Sequence, residues 1–319
     1  MTVRILVSSA GNKTTLISCL IQTLGNFPSE YQIWFSDFNS NNLNRHIYDN
    51  FVEMPKTDSS NLNRIIEILK NISINYVLPT RDGELLFWAQ HLDYFENHGI
   101  KILTSPTQAI KLSLDKYEFF QVCRNASLPV IPTSLTPNFD VAEYVVKERY
   151  GSGSQKLGLK LDRNKAIQFA KNIEEAIYQP YIEGDEFSVD VWTSSKSDLA
   201  IALPRWRECV IQGESKITKI FRNEELERLA IETSRLLGIT GICVIQGILE
   251  KSGQVSILEC NARIGGATTA SIYAGLPLLE LLIQHPNMRD EEVLLKNLNL
   301  RNLRQVRVSV DRIYDDSCI

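Results

Sequence analysis

At 319 residues the chain is long enough for two or three domains around a substantial core, and 44% hydrophobic with 23% charged residues is ordinary globular composition. A formal net charge of −4 argues against a dedicated nucleic-acid binder, while leaving room for a small basic pocket. Six scattered cysteines (Cys19, Cys123, Cys209, Cys243, Cys260, Cys318) without a C-x-x-C pair, four histidines without ligand spacing, and no apolar run of about 18 residues argue against a disulfide framework, a zinc site and a membrane span.

Met1 to Val7 reads as one short strand and not a signal peptide, so a cytoplasmic protein with reduced thiols is expected. The first hundred residues then alternate strand and helix. Strands are expected at Val3–Ser8, Gln32–Phe35, Tyr76–Pro79 and Lys101–Thr104, and helices at Lys13–Leu24, Asn61–Asn71 and Glu84–Asn97. Such alternation predicts an open parallel sheet, whose ligands gather beyond the carboxyl ends of its strands. Two loops lie there. Ser8-Ser9-Ala10-Gly11-Asn12 leads into Lys13-Thr14 but lacks both the P-loop and the G-x-G-x-x-G spacing, so it reads chiefly as a strand-to-helix turn. Thr80-Arg81-Asp82-Gly83-Glu84 reads equally as a substrate loop or as a helix start, with Asp82 as cap and Glu84 in the first turn.

Helices are expected from Ser105-Pro106-Thr107 and from Leu114-Asp115-Lys116-Tyr117, and Leu128-Pro129-Val130-Ile131-Pro132 breaks the chain. Short strands follow at Glu143–Lys147, Gln179–Ile182, Phe187–Trp192, Leu199–Pro204 and Lys216–Phe221, then a helix at Glu224–Leu237. Strands Ile242–Leu249 and Val255–Leu258 are joined by Lys251-Ser252-Gly253. Helices near Thr269–Ala274 and Leu278–Gln284 and a closing strand at Val306–Val310 complete the chain, with the last residues loose.

The chemistry concentrates late. After Val255–Leu258, Glu259, Asn261 and Arg263 fall at period two and therefore share one strand face, and Gly265-Gly266 follows. Oxygen donors of this kind suit Mg²⁺ held jointly with substrate phosphates, and the guanidinium suits an anion. A bare Glu-x-Asn-x-Arg is more often a solvated strand face, so the upstream signals decide. Lys147 ends a strand before Tyr150-Gly151-Ser152-Gly153-Ser154, which reads as an anion cradle or a hairpin turn. Gln179-Pro180-Tyr181-Ile182-Glu183-Gly184-Asp185-Glu186 reads as a hinge for a flat base and ribose, or as an acidic turn. Gln246, on the strand expected to pair with that of Glu259, can add another oxygen ligand.

Lys116, Lys147 with its glycine loop, the acidic hinge, Gln246, then Glu259, Asn261 and Arg263: in this order the chain resembles the ATP-grasp superfamily, within it the carbamoyl-phosphate synthetase-like branch. Pro79-Thr80-Arg81-Asp82-Gly83-Glu84-Leu85 resembles a pattern of the domain that precedes the ATP-grasp module. The resemblance covers essentially the whole length. It implies an α/β and α+β protein: an N-terminal pre-ATP-grasp domain (1–105), a small subdomain with the lid (106–182) and a large subdomain with the Mg/ATP site (183–319).

It also implies roles. Lys116 and Lys147 would contact ATP phosphates under a lid of Gly151, Ser152, Gly153 and Ser154. Gln179, Tyr181 and Ile182 would meet the adenine, and Glu186 the ribose. Gln246, Glu259 and Asn261 would hold one or two Mg²⁺ ions, with Mn²⁺ as a substitute; Gln246 matches the carbamoyl-phosphate branch where many relatives have glutamate. Arg263 would stabilise an acylphosphate, and Arg205 and Arg207 are candidates for a carboxylate or the transferred phosphate. Cys260, inside the motif, alternates away from the metal face and is expected in the core.

Two departures bear on the lid: Glu148-Arg149-Tyr150 follows Lys147 where the family has proline, and Thr136-Pro137-Asn138-Phe139-Asp140 leaves little room for the family's helix. The implied activity is an ATP-dependent carboxylate–amine ligase acting on small amino-acid-like or peptide-like substrates, with no nucleic-acid or membrane partner and a homodimer as the common assembly. The alternatives are phosphorylation of carbamate or another carboxylate without amide formation, and a nucleotide-binding module without turnover.

Overall fold

Apolar strands alternating with helices build a five-stranded N-terminal sheet: β1 (Val3–Ser8), α1 (Thr14–Leu24), β2 (Tyr31–Asp37), β3 (Phe51–Glu53), α2 (Leu62–Asn71), β4 (Tyr76–Pro79), α3 (Asp82–Gln90), α4 (Leu92–Glu96) and β5 (Lys101–Ile102). The computed structural model describes residues 2–25, 30–151, 153, 156–283, 290–311 and 313. Ser152 and Ser154 of the glycine–serine loop, Gln284, Cys318 and the last residues, 314–319, lie outside them. The strand order is β3-β2-β1-β4-β5, and every pairing is parallel. The order reverses between β1 and β4, so the loops after these two strands form the crevice where open α/β sheets take ligands.

The expected helix from Glu84 to Asn97 is two helices, because it breaks at His91, whose N–H bonds back only three residues, to the Trp88 carbonyl. Asp82 is not the cap. It is the first residue of α3, and the acceptor is Glu84, fully buried, which takes the N–H groups of Thr80 and Arg81 at 3.0 and 3.1 Å, Ser8 Oγ at 2.5 Å and Trp88 Nε1 at 3.0 Å. One carboxylate thus locks the ends of β1 and β4 together.

After α5 (Thr107–Leu114) and α6 (Lys116–Asn125), a three-stranded antiparallel sheet forms from β6 (Tyr144–Glu148), β7 (Leu157–Leu161) and β8 (Ala176–Pro180), with α7 (Arg163–Ala170) against it. The strand expected at Gln179–Ile182 lies earlier and stops at Pro180. Residues 136–142 are turns without helix.

The six-stranded sheet has the order β13-β12-β9-β10-β11-β14, from β9 (Asp185–Thr193), β10 (Ala200–Ile211), β11 (Glu214–Ile220), β12 (Gly241–Leu249), β13 (Val255–Asn261) and β14 (Arg304–Val306). Helices α8 (Glu224–Leu236), α9 (Thr268–Tyr273), α10 (Leu278–Ile283) and α11 (Glu291–Lys296) accompany it. The closing strand ends where it was expected to begin: Val306, Val308 and Val310 are 57%, 70% and 78% exposed, and pairing with β11 runs only through Arg304–Val306. Alternating valines signal β-structure, but here no face of the sheet waits to cover them.

Two cores lie on opposite faces of this sheet. Phe187, Val189, Val191, Cys243, Ile245 and Cys260 pack with α5, α6 and α8. Trp192, Leu203, Ile220 and Ile242 pack instead with β1, α1 and α10, joining the sheet to the N-terminal domain. Cys260 is 3% exposed in the first core, as alternation requires, and the five described cysteines are free.

Candidate active site

The face that carries Trp192 and Ile242 turns polar further along the same strands. Cross-strand partners share a face, and the register runs in rows: Arg205, Ser188, Gln246 and Glu259 from β10, β9, β12 and β13, and next to it Leu203, Asp190, Val244 and Asn261. Gln246 thus lies directly beside Glu259, on the antiparallel neighbour that the Lys251-Ser252-Gly253 turn predicts. The ladder shifts by one residue after Gln246, at Gly247, where a Cβ would come within 2.4 Å of the Phe187 ring. Glycine there lets the bulge form and keeps Gln246 and Glu259 in one row.

Glu259 is half-buried among cations. Burial alone would raise its carboxyl, but Lys147, Lys116, a hydrogen bond from Asn261 at 3.3 Å and Arg207 outweigh it and hold it below the ordinary range. The same geometry acts in reverse on Lys147. Burial, assisted by Lys116, pushes its ammonium down, and Glu259 and Glu186 resist. Two carboxamides and one carboxylate give an oxygen-only donor set, which fits Mg²⁺ with substrate phosphates completing the shell. Among the described residues no cluster of three or more His, Cys, Asp or Glu could hold a metal by itself.

Asp115 organises the surroundings of Lys116 and the glycine loop. It caps α6 through the N–H groups of Tyr117 and Glu118, and it accepts Arg149 Nε at 2.8 Å, Arg149 Nη2 at 2.6 Å and Tyr150 Oη at 2.6 Å. Burial raises its carboxyl, but these donors lower it further. The residues that stand where a proline was expected therefore pin the β6 end to α6. Lys116 Nζ in turn donates to the Gly151 carbonyl at 2.5 Å. The glycine loop is the β6–β7 hairpin, with Gly153 at φ +71 lining the cavity beside Glu259.

On the far side of that hairpin, Gln179 is 2% exposed and donates to Thr133 Oγ1 at 2.9 Å, so its amide is committed internally. Tyr181 is half-buried, with Lys160 Nζ 4.8 Å from its ring centroid and its N–H on the Glu143 carbonyl. Ile182 is half-buried and Glu186 is exposed. Glu186 Oε2 lies 3.2 Å from Arg207 Nε. Arg207 also donates to the Gly213 carbonyl at 3.0 Å. Arg205 is placed differently: 3% exposed, it gives Nε to Asp190 at 2.8 Å and Nη2 at 3.4 Å. Two of its nitrogens therefore serve the fold.

Arg263 crosses to the N-terminal domain. Nε and Nη2 bind the two Asp82 oxygens at 2.8 and 2.6 Å, a bidentate pair 181 residues apart in sequence, and Nη2 reaches Asn261 Oδ1 at 3.3 Å. Around this pair opens a cavity of about 1570 Å³ lined by Gln246, Glu259, Asn261, Arg263, Arg205 and Arg207 on one wall. The β1 and β4 loops, with Lys13, Thr80, Arg81 and Asp82, form the other. Both loops thus face one site, and Lys13 belongs to it where sequence spacing alone favoured a plain turn. Asp115 and Asp82 were missed as site residues because their partners are distant in the chain. The Pro-Thr-x-Asp-x-Glu pattern was the available signal for Asp82.

A family model described as ATP-grasp in the biosynthetic pathway with Ter operon matches residues 172–306, and a PylC-like N-terminal domain model matches residues 5–103. No curated protein sequence matches. Among solved structures the chain is similar to a biotin carboxylase from Campylobacter jejuni (TM-score 0.70, 17% identity, covering 90% of this chain and 71% of that one). It is similar to an L-amino acid ligase from Bacillus licheniformis (0.69, 15%, 93% and 77%). An N5-carboxyaminoimidazole synthetase from Staphylococcus aureus, complexed with ADP, matches at 0.69 and 14%, covering 90% and 78%. The fold is shared with these proteins across nearly the whole chain. The two family models thus place an ATP-grasp segment at residues 172–306 behind a PylC-like N-terminal domain at residues 5–103.

Proposed function

We propose that the protein is an ATP-dependent ligase that activates a small-molecule carboxylate as an acylphosphate, releasing ADP, and passes the acyl group to an amine. The observation that carries the reading is Glu259, aligned with Gln246 in one row and ringed by Lys147, Lys116 and Arg207 at the cavity wall. Phosphoryl transfer is catalysed chiefly by positioning and charge neutralisation, and this arrangement provides both. When bound, Mg²⁺ (or Mn²⁺) supplies neutralisation of the β- and γ-phosphate charge.

In this reading Glu259, Gln246 and Asn261 offer oxygens to the metal, and Lys116 and Lys147 hold phosphate oxygens. The hairpin at Gly151 and Gly153 excludes water, and Tyr181, Ile182 and Glu186 border the nucleoside. A substrate carboxylate oxygen bonds to the γ-phosphorus as the β–γ bridging bond breaks, and ADP departs with that electron pair. The amine nitrogen then bonds to the acyl carbon, phosphate leaves, and the amine proton passes to solvent. Arg263 and Arg207 face the negative charge that develops at the acyl centre. The biotin carboxylase, synthetase and amino acid ligase likenesses support this class of chemistry.

ADP release measured with Mg-ATP and a panel of amino acids and small acids tests it. Release that requires both an acid and an amine is expected. Release with an acid alone identifies a carboxylate kinase instead, and ATP binding without release across the panel leaves a nucleotide-binding module. Within the ligase reading, Asp82→Asn halves the charge-assisted grip on Arg263 and should lower ADP release about tenfold, a loss typical of one such bond. Because that pair is only 14–19% exposed but not sealed, the melting midpoint should move little. A full-rate Asp82→Asn enzyme would remove Asp82 from the site.

A further inference from the structure

The cavity holds more positive charge than activation of one carboxylate requires. Lys147, Lys116 and Arg207 already surround Glu259. On the wall shared by the N-terminal domain and β11, a second group gathers around Glu214. Lys216 Nζ is 2.7 Å from this carboxylate and Arg307 Nη1 is 3.8 Å away, and Lys13 lowers its carboxyl from across the cavity. One acid thus answers three cations. Lys13 has no carboxylate in salt-bridge reach among the described residues; its ammonium donates to the Thr80 carbonyl. The Nε atom of Arg307 is buried without a hydrogen bond. Buried guanidinium N–H groups left unbonded are costly unless something meets them.

Two further observations agree. Burial first, then Arg263 and Arg81, press the Lys13 ammonium down to about 8 against Glu84 and Asp82. An added anion would relieve that crowding. Helix α1 has no capping side chain and no acid in its first turn, and its Thr14 and Thr15 line the cavity.

We infer that the substrate carries a second anionic group, a phosphate or a further carboxylate, besides the carboxylate that is activated, and that this group is bound by Lys13 and Arg307. The inference rests on the ligase reading and names the substrate class of that site: small acids with two anionic groups.

Calorimetric titration in the presence of Mg²⁺ and a non-hydrolysable ATP analogue tests it with O-phospho-L-serine against L-serine, and L-aspartate against L-asparagine. At least one anionic probe should bind about tenfold or more tighter than its neutral counterpart, the gain expected of one charge-assisted bond. The pair that shows the preference tells phosphate from carboxylate. Lys13→Met and Arg307→Gln should each remove most of that preference, Lys13→Arg should retain it, and binding of the nucleotide analogue should be unchanged in all three. The preference should also weaken between about pH 7 and pH 9 as Lys13, faced by Arg263, Arg81, Glu84, Asp82 and Glu214, gives up its proton. Anionic and neutral probes that bind alike, or not at all, overturn the inference, as does a preference that survives both substitutions. Wild-type protein that fails to bind the nucleotide analogue overturns the ligase reading instead.

Discussion

Glu259→Gln should lower ADP release on the order of a hundredfold to a thousandfold, the loss seen when one preorganised charge-stabilising group is removed. The substitution keeps the size and shape of the side chain, so the row with Gln246 and the ladder of β12 and β13 persist. What changes is charge. The metal loses the only carboxylate of the proposed donor set, Gln246 and Asn261 being neutral. Lys147 loses the leading opposing charge that keeps its buried ammonium protonated, and burial and Lys116 then push it further down. Both losses act on the same phosphates, so the effect should exceed that of Lys147→Ala alone only modestly, because the two groups act as a unit. The check is steady-state ADP release alongside a melting curve. An unchanged midpoint with lost turnover is expected, and a variant that turns over at the wild-type rate would sink the site assignment.

The parts of this site that the sequence discloses are those encoded locally. Period two places Glu259, Asn261 and Arg263 together, and the Lys251-Ser252-Gly253 turn fixes their neighbour as Gln246. The buried strands β1 and β4 read cleanly because both are short apolar runs closed by polar loops. Elements with little buried surface do not read. Strand β7 buries only Gly158, and α7 only Ala166, so neither shows an apolar stripe; β3 buries nothing fully. Strand β8 ends early because Pro180 has no N–H to continue the ladder.

Acids that organise arginines are the least legible of all. Asp82 meets Arg263 across 181 residues, Asp115 meets Arg149 across 34, and Asp190 meets Arg205 across 15. No local pattern distinguishes such an acid from a helix cap or a solvated turn; only the tertiary fold brings the partner. Arg205 shows the same limit: it lines the cavity, as its strand position leads one to expect, while its pairing with the buried Asp190 is set by the tertiary fold alone.

Asp190→Ala should therefore act on stability first. Asp190 is fully buried on β9 and accepts four bonds: Arg205 Nε at 2.8 Å and Nη2 at 3.4 Å, Thr268 Oγ1 at 2.6 Å and Ser271 Oγ at 2.5 Å. Removing it leaves the Arg205 charge, itself 3% exposed, without its partner in the interior, and breaking a buried pair in this way costs about 3–5 kcal/mol. A fall of roughly 5–15 °C in the melting midpoint follows for a chain of this size. The damage should reach the site as well. Thr268 Oγ1 also accepts the Gly265 N–H at 3.0 Å, so Asp190 anchors the turn that follows Arg263, where a Cβ on Gly265 would come within 2.9 Å of the same hydroxyl. Replacing both partners, Asp190→Leu with Arg205→Met, separates the two roles. Well-packed apolar groups can substitute for a buried ion pair, so the double variant should recover most of the lost stability. Its turnover should stay low if Arg205 also lends charge to the cavity, and should recover with the fold if Arg205 is purely a strut. An Asp190→Ala variant that melts with the wild type would show that the pair bears no weight, and the anchoring of the Gly265 turn would have to come from elsewhere.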